Sequence, residues 1–125
     1  MFGAAKPTVF IIDSDRAVRT SLGLLLECEG IVAHTYGSAT AFLSEMQPQP
    51  NCCILVDVDL PGLNGLDLLH ELDQRNIVIP AVVTTSRKVT DSFRSSVAEV
   101  GATLIEKPYN PRALIASLRE VLDCG

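Results

Sequence analysis

The sequence predicts an α/β domain: a doubly wound, five-stranded parallel sheet with helices on both faces and strand order 2-1-3-4-5. Three observations predict it. Apolar, strand-like segments alternate with segments of helical periodicity five times along the 125 residues. The connections are short, and right-handed βαβ crossovers then place helices on both faces of one sheet. Strands one, three and four are continuous apolar runs, as central parallel strands are. The second, Ile31-Val-Ala-His-Thr-Tyr36, is more polar and suits an edge.

Taken in order, strands are expected at Thr8–Asp13, Ile31–Tyr36, Cys52–Asp57, Val78–Thr84 and Thr103–Glu106. The first helix rests on Val18, Leu22, Leu25 and Leu26, with Asp15 or Ser14 placed to cap it. The second rests on Ala39, Phe42, Leu43 and Met46 behind Ser38. The third follows the turn residues Pro61-Gly62-Leu63-Asn64-Gly65 and carries Leu66, Leu69 and Leu72. Phe93, Val97 and Val100 mark the fourth, closed by Gly101. Leu114, Leu118, Val121 and Leu122 mark the fifth, with Pro111 in its first turn.

Composition bounds the function. Residues 1–125 read as a single domain, and 47% apolar against 20% charged residues describes a chain that folds around a core. A formal net charge of −5 argues against direct nucleic-acid binding by this segment. No apolar run approaches the ~20 residues that span a bilayer, and Met1 to Pro7 lacks the features of a secretory leader. The expected location is cytoplasmic, with no membrane partner. The cysteines at 28, 52, 53 and 124 include no C-x-x-C pair, so free thiols are expected.

The polar residues cluster in one respect. Open α/β sheets bind ligands beyond the carboxyl ends of their strands, where the strand order reverses, here between strands one and three. Strand one leads into Asp13, Ser14 and Asp15, strand three into Asp57, Val58 and Asp59. Strand four leads into Thr84, Thr85 and Ser86, and strand five into Glu106, Lys107 and Pro108. Any one of these could be a helix cap or a solvated loop residue. Together they bring carboxylates, hydroxyls and a lysine to one edge. Clustered carboxylates repel, and a cation relieves them. Oxygen donors with few ligands suit magnesium. A carboxylate nucleophile, a metal, a hydroxyl and a lysine form a set for phosphoryl transfer.

With these residues in place the sequence resembles the receiver domain of bacterial two-component response regulators, a CheY-like superfamily of flavodoxin-like (βα)5 fold. The resemblance is carried by Val9-Phe-Ile-Ile-Asp13 with Asp15 and Arg19, and by Ile54-Leu-Val-Asp57-Val-Asp-Leu-Pro61-Gly-Leu-Asn-Gly65. It continues through Pro80-Ala-Val-Val-Thr-Thr85-Ser86, Gly101-Ala102 and Lys107-Pro108-Tyr109. It implies a regulatory switch, not an enzyme with an external substrate. Asp57 would be the phospho-acceptor, charged by a sensor histidine kinase. Asp13, Asp57 and the backbone carbonyl of Asp59 would hold Mg2+, with Ser14 and Asp15 as further candidates. Thr85 would be the switch hydroxyl and Lys107 its phosphoryl-pairing partner, with Ser86 beside the switch. The resemblance also implies a cis bond between Lys107 and Pro108. Asp59 and Arg87 would tune phosphoryl lifetime. The fourth helix, fifth strand and fifth helix, with Tyr109 and Leu114, would meet a second copy or an output domain, possible control of transcription included.

Two positions depart from the family pattern. Ser14 stands where a second metal-binding acid is usual, and Leu104 where an aromatic ring usually reports the switch. Ser14 motivates a rival reading, a receiver that works by protein contacts without phosphorylation. Two remoter readings fit the residues less well. Asp13-Ser-Asp15 resembles the nucleophile motif of haloacid-dehalogenase-type phosphatases, but only Glu120 and Asp123 follow Lys107 as acids. A flavin or nucleotide site needs glycines or hydroxyls in the first loop, and this loop is acidic without glycine.

Overall fold

The computed structural model describes residues 6–47 and 49–124, the side chains of residues 123 and 124 excepted. Five strands, β1 (Thr8–Ile12), β2 (Val32–Tyr36), β3 (Cys52–Asp57), β4 (Ala81–Thr85) and β5 (Thr103–Glu106), alternate with five helices. These are α1 (Arg16–Cys28), α2 (Ala39–Glu45), α3 (Gly65–Gln74), α4 (Asp91–Glu99) and α5 (Pro111–Cys124). Every strand pair is parallel, and the order is β2-β1-β3-β4-β5. The predicted fold class and strand order are the observed ones.

Period-two alternation divides the core in two. Phe10, Ile12, Ile54, Val56 and Val83 point to one face of the sheet, where they meet Phe42 of α2 and Leu68 and Leu72 of α3. Val9, Ile11, Cys53, Leu55 and Val82 point to the other, against Leu22 and Leu26 of α1 and Leu114 and Leu118 of α5. Each such side chain stabilises the fold by roughly 1.5–3 kcal/mol when fully buried. Cys53 belongs to this core, and burial pushes its thiol pKa up to about 12. Cys28, Cys52 and Cys53 are free, as expected; the side chain of Cys124 and most of the Met1–Pro7 segment lie outside the described residues.

The helix starts follow capping chemistry. Asp15 accepts from the N–H groups of Ala17 and Val18, Ser38 from Ala41, Asn64 from Asp67 and Thr90 from Phe93. Asn110 accepts from Arg112 and Ala113, with Pro111 opening α5. Gly101, at φ +71°, follows α4 where only glycine adopts the left-handed turn without strain.

Four expectations need correction. β4 begins at Ala81, not Val78, because Pro80 has no N–H for a ladder and Val78 is 95% exposed. It also runs one residue further, so Thr85 lies within the strand. β2 begins at Val32 because the Ile31 N–H returns to Leu26 O and closes α1. β1 ends at Ile12; Asp13 still donates its N–H to Tyr36 O but starts the turn into α1. Leu114 is not a surface residue: it is fully buried between α5 and the sheet. No helix among the described residues is long and apolar enough to cross a membrane.

Candidate functional site

The chain leaves β1 toward one side of the sheet and β3 toward the other, so the loops after these neighbours open a crevice at the strands' carboxyl ends. Asp13 follows β1 and Asp57 ends β3, with Asp57 paired to Thr84 of β4. Lys107 follows β5, its N–H held by the carbonyl of Thr85 at 2.7 Å. Topology alone therefore brings together residues up to 94 positions apart, from Asp13 to Lys107.

Lys107 Nζ lies 3.0 Å from Asp57 Oδ2 and 3.9 Å from Asp13 Oδ2. Both carboxylates are oriented by the turns that follow them. Asp13 Oδ1 accepts from the N–H of Asp15 at 2.9 Å, and Asp57 Oδ1 from the N–H of Asp59 at 3.0 Å. Burial raises the Asp13 pKa, more than the Asp15 N–H and the Lys107 ammonium lower it, and the nearby Asp57 and Asp15 charges add to the rise. Burial alone would lower the Lys107 pKa, but the hydrogen bond and charge of Asp57, with the charge of Asp13, hold it above the ordinary lysine value. The lysine is thus a fixed cation shared between two acids, and one cation does not balance two carboxylates. The Lys107–Pro108 peptide is cis, as expected.

The remaining predicted residues divide. Thr85 is fully buried, and its hydroxyl accepts from the N–H of Arg87 at 3.0 Å. Arg87 and Asp59 meet in an ion pair across the mouth of the crevice. Ser86 lines a shallow groove with Val18, Lys107, Pro108 and Tyr109. Tyr109 is half-buried on the α1 and α5 side, and burial raises its pKa. Leu104 packs from β5 against the cluster under α2 and α3. Ser14 is exposed, and Asp15 is drawn onto the N-terminus of α1, so neither joins Asp13 and Asp57. Accordingly, no three acid, histidine or cysteine side chains converge as metal ligands among the described residues. Glu120 is exposed on α5 and brings no second acidic pair to the site.

The donor set fits a hard cation of low demand. It is all oxygen: the carboxylates of Asp13 and Asp57 meet at Lys107, and Asp13 is buried with a raised pKa. Magnesium accepts so few protein ligands because it retains waters.

Two supporting residues carry contacts that the spacing does not show. Arg19 Nη1 donates to the carbonyl of Asp13 at 2.7 Å and fixes the turn that presents the acid. It also lies against Gly37, whose added Cβ would stand 3.3 Å from that nitrogen. Gly65 lies under Asp57: a Cβ there would meet the Asp57 carbonyl oxygen at 2.9 Å and Val58 Cα at 3.0 Å. Both occur in the quoted motifs, but their partners are backbone atoms. The signal for Gly65 in the sequence is its place at the end of the Pro61–Gly65 turn motif that opens the third helix.

The chain matches the family model for the response regulator receiver domain over residues 9–119. It is 38% identical over 114 residues to the transcriptional regulatory protein FixJ of Azorhizobium caulinodans, covering 91% of this chain and 54% of that protein. It is 34% identical over 121 residues to the sensory transduction protein RegX3 of Mycolicibacterium smegmatis, covering 94% and 51%. The chain spans about half the length of these curated relatives. Among solved structures, it superposes on FixJ-N with a TM-score of 0.86 at 28% identity, covering 96% of both chains. It superposes on the response regulator StyR with a TM-score of 0.86 at 31% identity, covering 96% of this chain and 61% of that one. On its sequence and its fold together, this chain belongs to the response regulator receiver domain family.

Proposed function

We propose that this domain accepts a phosphoryl group on Asp57 from a phosphohistidine of a sensor kinase, and that the modified state changes the surface of α4, β5 and α5. The observation that carries the reading is Lys107 Nζ set between Asp57 and Asp13, three residues delivered by three strands to one crevice. One Asp57 oxygen attacks phosphorus, an O–P bond forms, the P–N bond breaks, and the electron pair leaves with the imidazole nitrogen. Lys107 offsets negative charge on the transferring oxygens. Thr85 supplies a hydroxyl for one oxygen of the product.

Asp13, Asp57 and the Asp59 carbonyl are the residues that would hold magnesium. Bound there, the ion would supply charge neutralisation for the phosphoryl oxygens. The exposed pair of Arg94 with Glu106, 3.6 Å apart, lies on the α4 and β5 part of the surface assigned to output. A second copy or an output domain is the partner proposed for it, in keeping with the transcriptional regulator among the relatives.

A second reading is favoured by Ser14 and Asp15, which leave two carboxylates in the pocket: a receiver that signals through contacts without phosphate. One experiment separates the two. Incubation with acetyl phosphate and magnesium, followed by intact mass measurement, is expected to add one phosphoryl group, absent in Asp57→Asn. No gain at high magnesium overturns the first reading in favour of the second.

A further inference from the structure

The two loops at the mouth of the site are joined by a chain of contacts that runs from the acceptor to the switch residue. The Asp59 N–H donates to Asp57 Oδ1 at 3.0 Å. The Asp59 carboxylate pairs with the Arg87 guanidinium. The Arg87 N–H donates to Thr85 Oγ1 at 3.0 Å. Asp57 and Thr85 are the last residues of adjacent strands, so these contacts bridge the β3–α3 and β4–α4 loops.

Thr85 is fully buried, and a buried hydroxyl needs a partner. Here that partner is its own loop. Asp57 takes its hydrogen bonds from the Asp59 N–H and from Lys107, not from Thr85. The hydroxyl keeps its own proton to donate, but a move of Thr85 toward a phosphoryl group on Asp57 would stretch its bond with the Arg87 N–H unless residues 86 and 87 shift with it. The far end of Arg87 is anchored to Asp59, and that anchor opposes the shift.

We infer that the Asp59–Arg87 ion pair is a resting-state latch that keeps Thr85 turned away from Asp57. Asp59 and Arg87 act through Thr85 as positioning residues. The inference rests on the phosphoacceptor reading and goes beyond it, since the pair sets the balance between two loop positions before any chemistry occurs. The Arg87 side chain is 65% exposed and that of Asp59 29%. An ion pair of such exposure shifts an equilibrium by a factor of about two to five. That is weak enough for a phosphoryl group to overcome and large enough to measure.

A simpler role for Arg87 makes the opposite prediction. If the guanidinium only attracts an anionic phosphodonor, removing it weakens anion binding, whereas removing the Asp59 charge strengthens it. A latch makes both losses act in one direction. The test uses the full chain as Asp59→Ala, Arg87→Ala and the double variant, with beryllofluoride titrated in saturating magnesium. Exchange of the backbone amide at position 87, relative to its rate in the unfolded chain, is measured in the ligand-free protein. Each single variant is expected to lower the half-saturating beryllofluoride concentration about two- to fivefold and to speed the amide's exchange, with no further gain in the double variant. Opposite signs in the two singles, additive effects, or no change in either overturns the latch. If the unmodified protein takes up no beryllofluoride, the phosphoacceptor reading fails by itself. The amide then decides the latch: faster exchange in both singles supports it, unchanged exchange overturns it.

Discussion

Asp13 works against the fold it belongs to. Its carboxyl is buried after β1, and burial raises its pKa despite the Asp15 N–H and Lys107. A carboxyl whose pKa is raised on folding binds protons more tightly folded than unfolded. Stability therefore falls as pH rises from the ordinary carboxyl value of 3.8 through the folded pKa, and the full penalty is present above it. Asp13→Asn keeps an oxygen for the Asp15 N–H and removes the charge. It is expected to raise the melting temperature of the magnesium-free protein by a few degrees while abolishing the response to added magnesium. Differential scanning calorimetry with and without the ion checks both; a lower melting temperature without magnesium would show that Asp13 is a stabilising acid. At this scale the acids, Thr85 and Lys107 were legible, because strand ends can be counted in sequence. Arg19 and Gly65 were legible only as motif residues. What they touch is the Asp13 carbonyl and the Asp57 carbonyl, and no side-chain pattern encodes a backbone partner.

The β3–α3 turn shows how an element is set by one residue. Asn64 caps α3, and the Gly65 N–H donates to the Val58 carbonyl at 3.2 Å, so the helix start lies directly on the strand end that carries Asp57. A Cβ at Gly65 has backbone on its near side, at 2.9 Å and 3.0 Å, and no flexible side chain able to yield. Gly65→Ala is expected to destabilise the domain by about 1–3 kcal/mol, as overpacking does, and to slow phosphorylation from acetyl phosphate by moving Asp57. Urea denaturation followed by circular dichroism, beside intact mass over time, reads the two effects; unaltered values in both would mean that the turn tolerates the methyl. Elements were otherwise well marked in sequence. Caps at Asp15 and Ser38 have their own chemistry, and β3 and β5 lie where the patterning sets them. β4 was misplaced at its start because Val78 and Ile79 read as strand, though Val78 is exposed and Ile79 packs on the core from the preceding loop. Apolar content marks burial, and Pro80 decides where the ladder begins.

For the molecule as a whole, the strand order was readable because polarity separated the edge strand from the buried ones. The balance between folding and ion binding was not, since it depends on how many charges meet in one place. The chain carries a net charge of −5, and two of its acids share a single lysine at the crevice. A serine at position 14 spares the fold a third carboxylate, and Asp15 cannot replace it without leaving the helix cap, a loss of about 1 kcal/mol. Stability without the ion and affinity for it are then opposed, and Ser14→Asp should reverse the compromise. In chelator the variant is expected to melt lower than the unmodified protein, because like charges crowd a partly buried site. Magnesium stabilises the folded state in proportion to RT ln(1 + [Mg2+]/Kd). If the added acid tightens binding tenfold, the variant gains about 1.4 kcal/mol at saturating ion. The two curves of melting temperature against magnesium concentration should therefore cross. Parallel curves would mean that residue 14 does not face the ion.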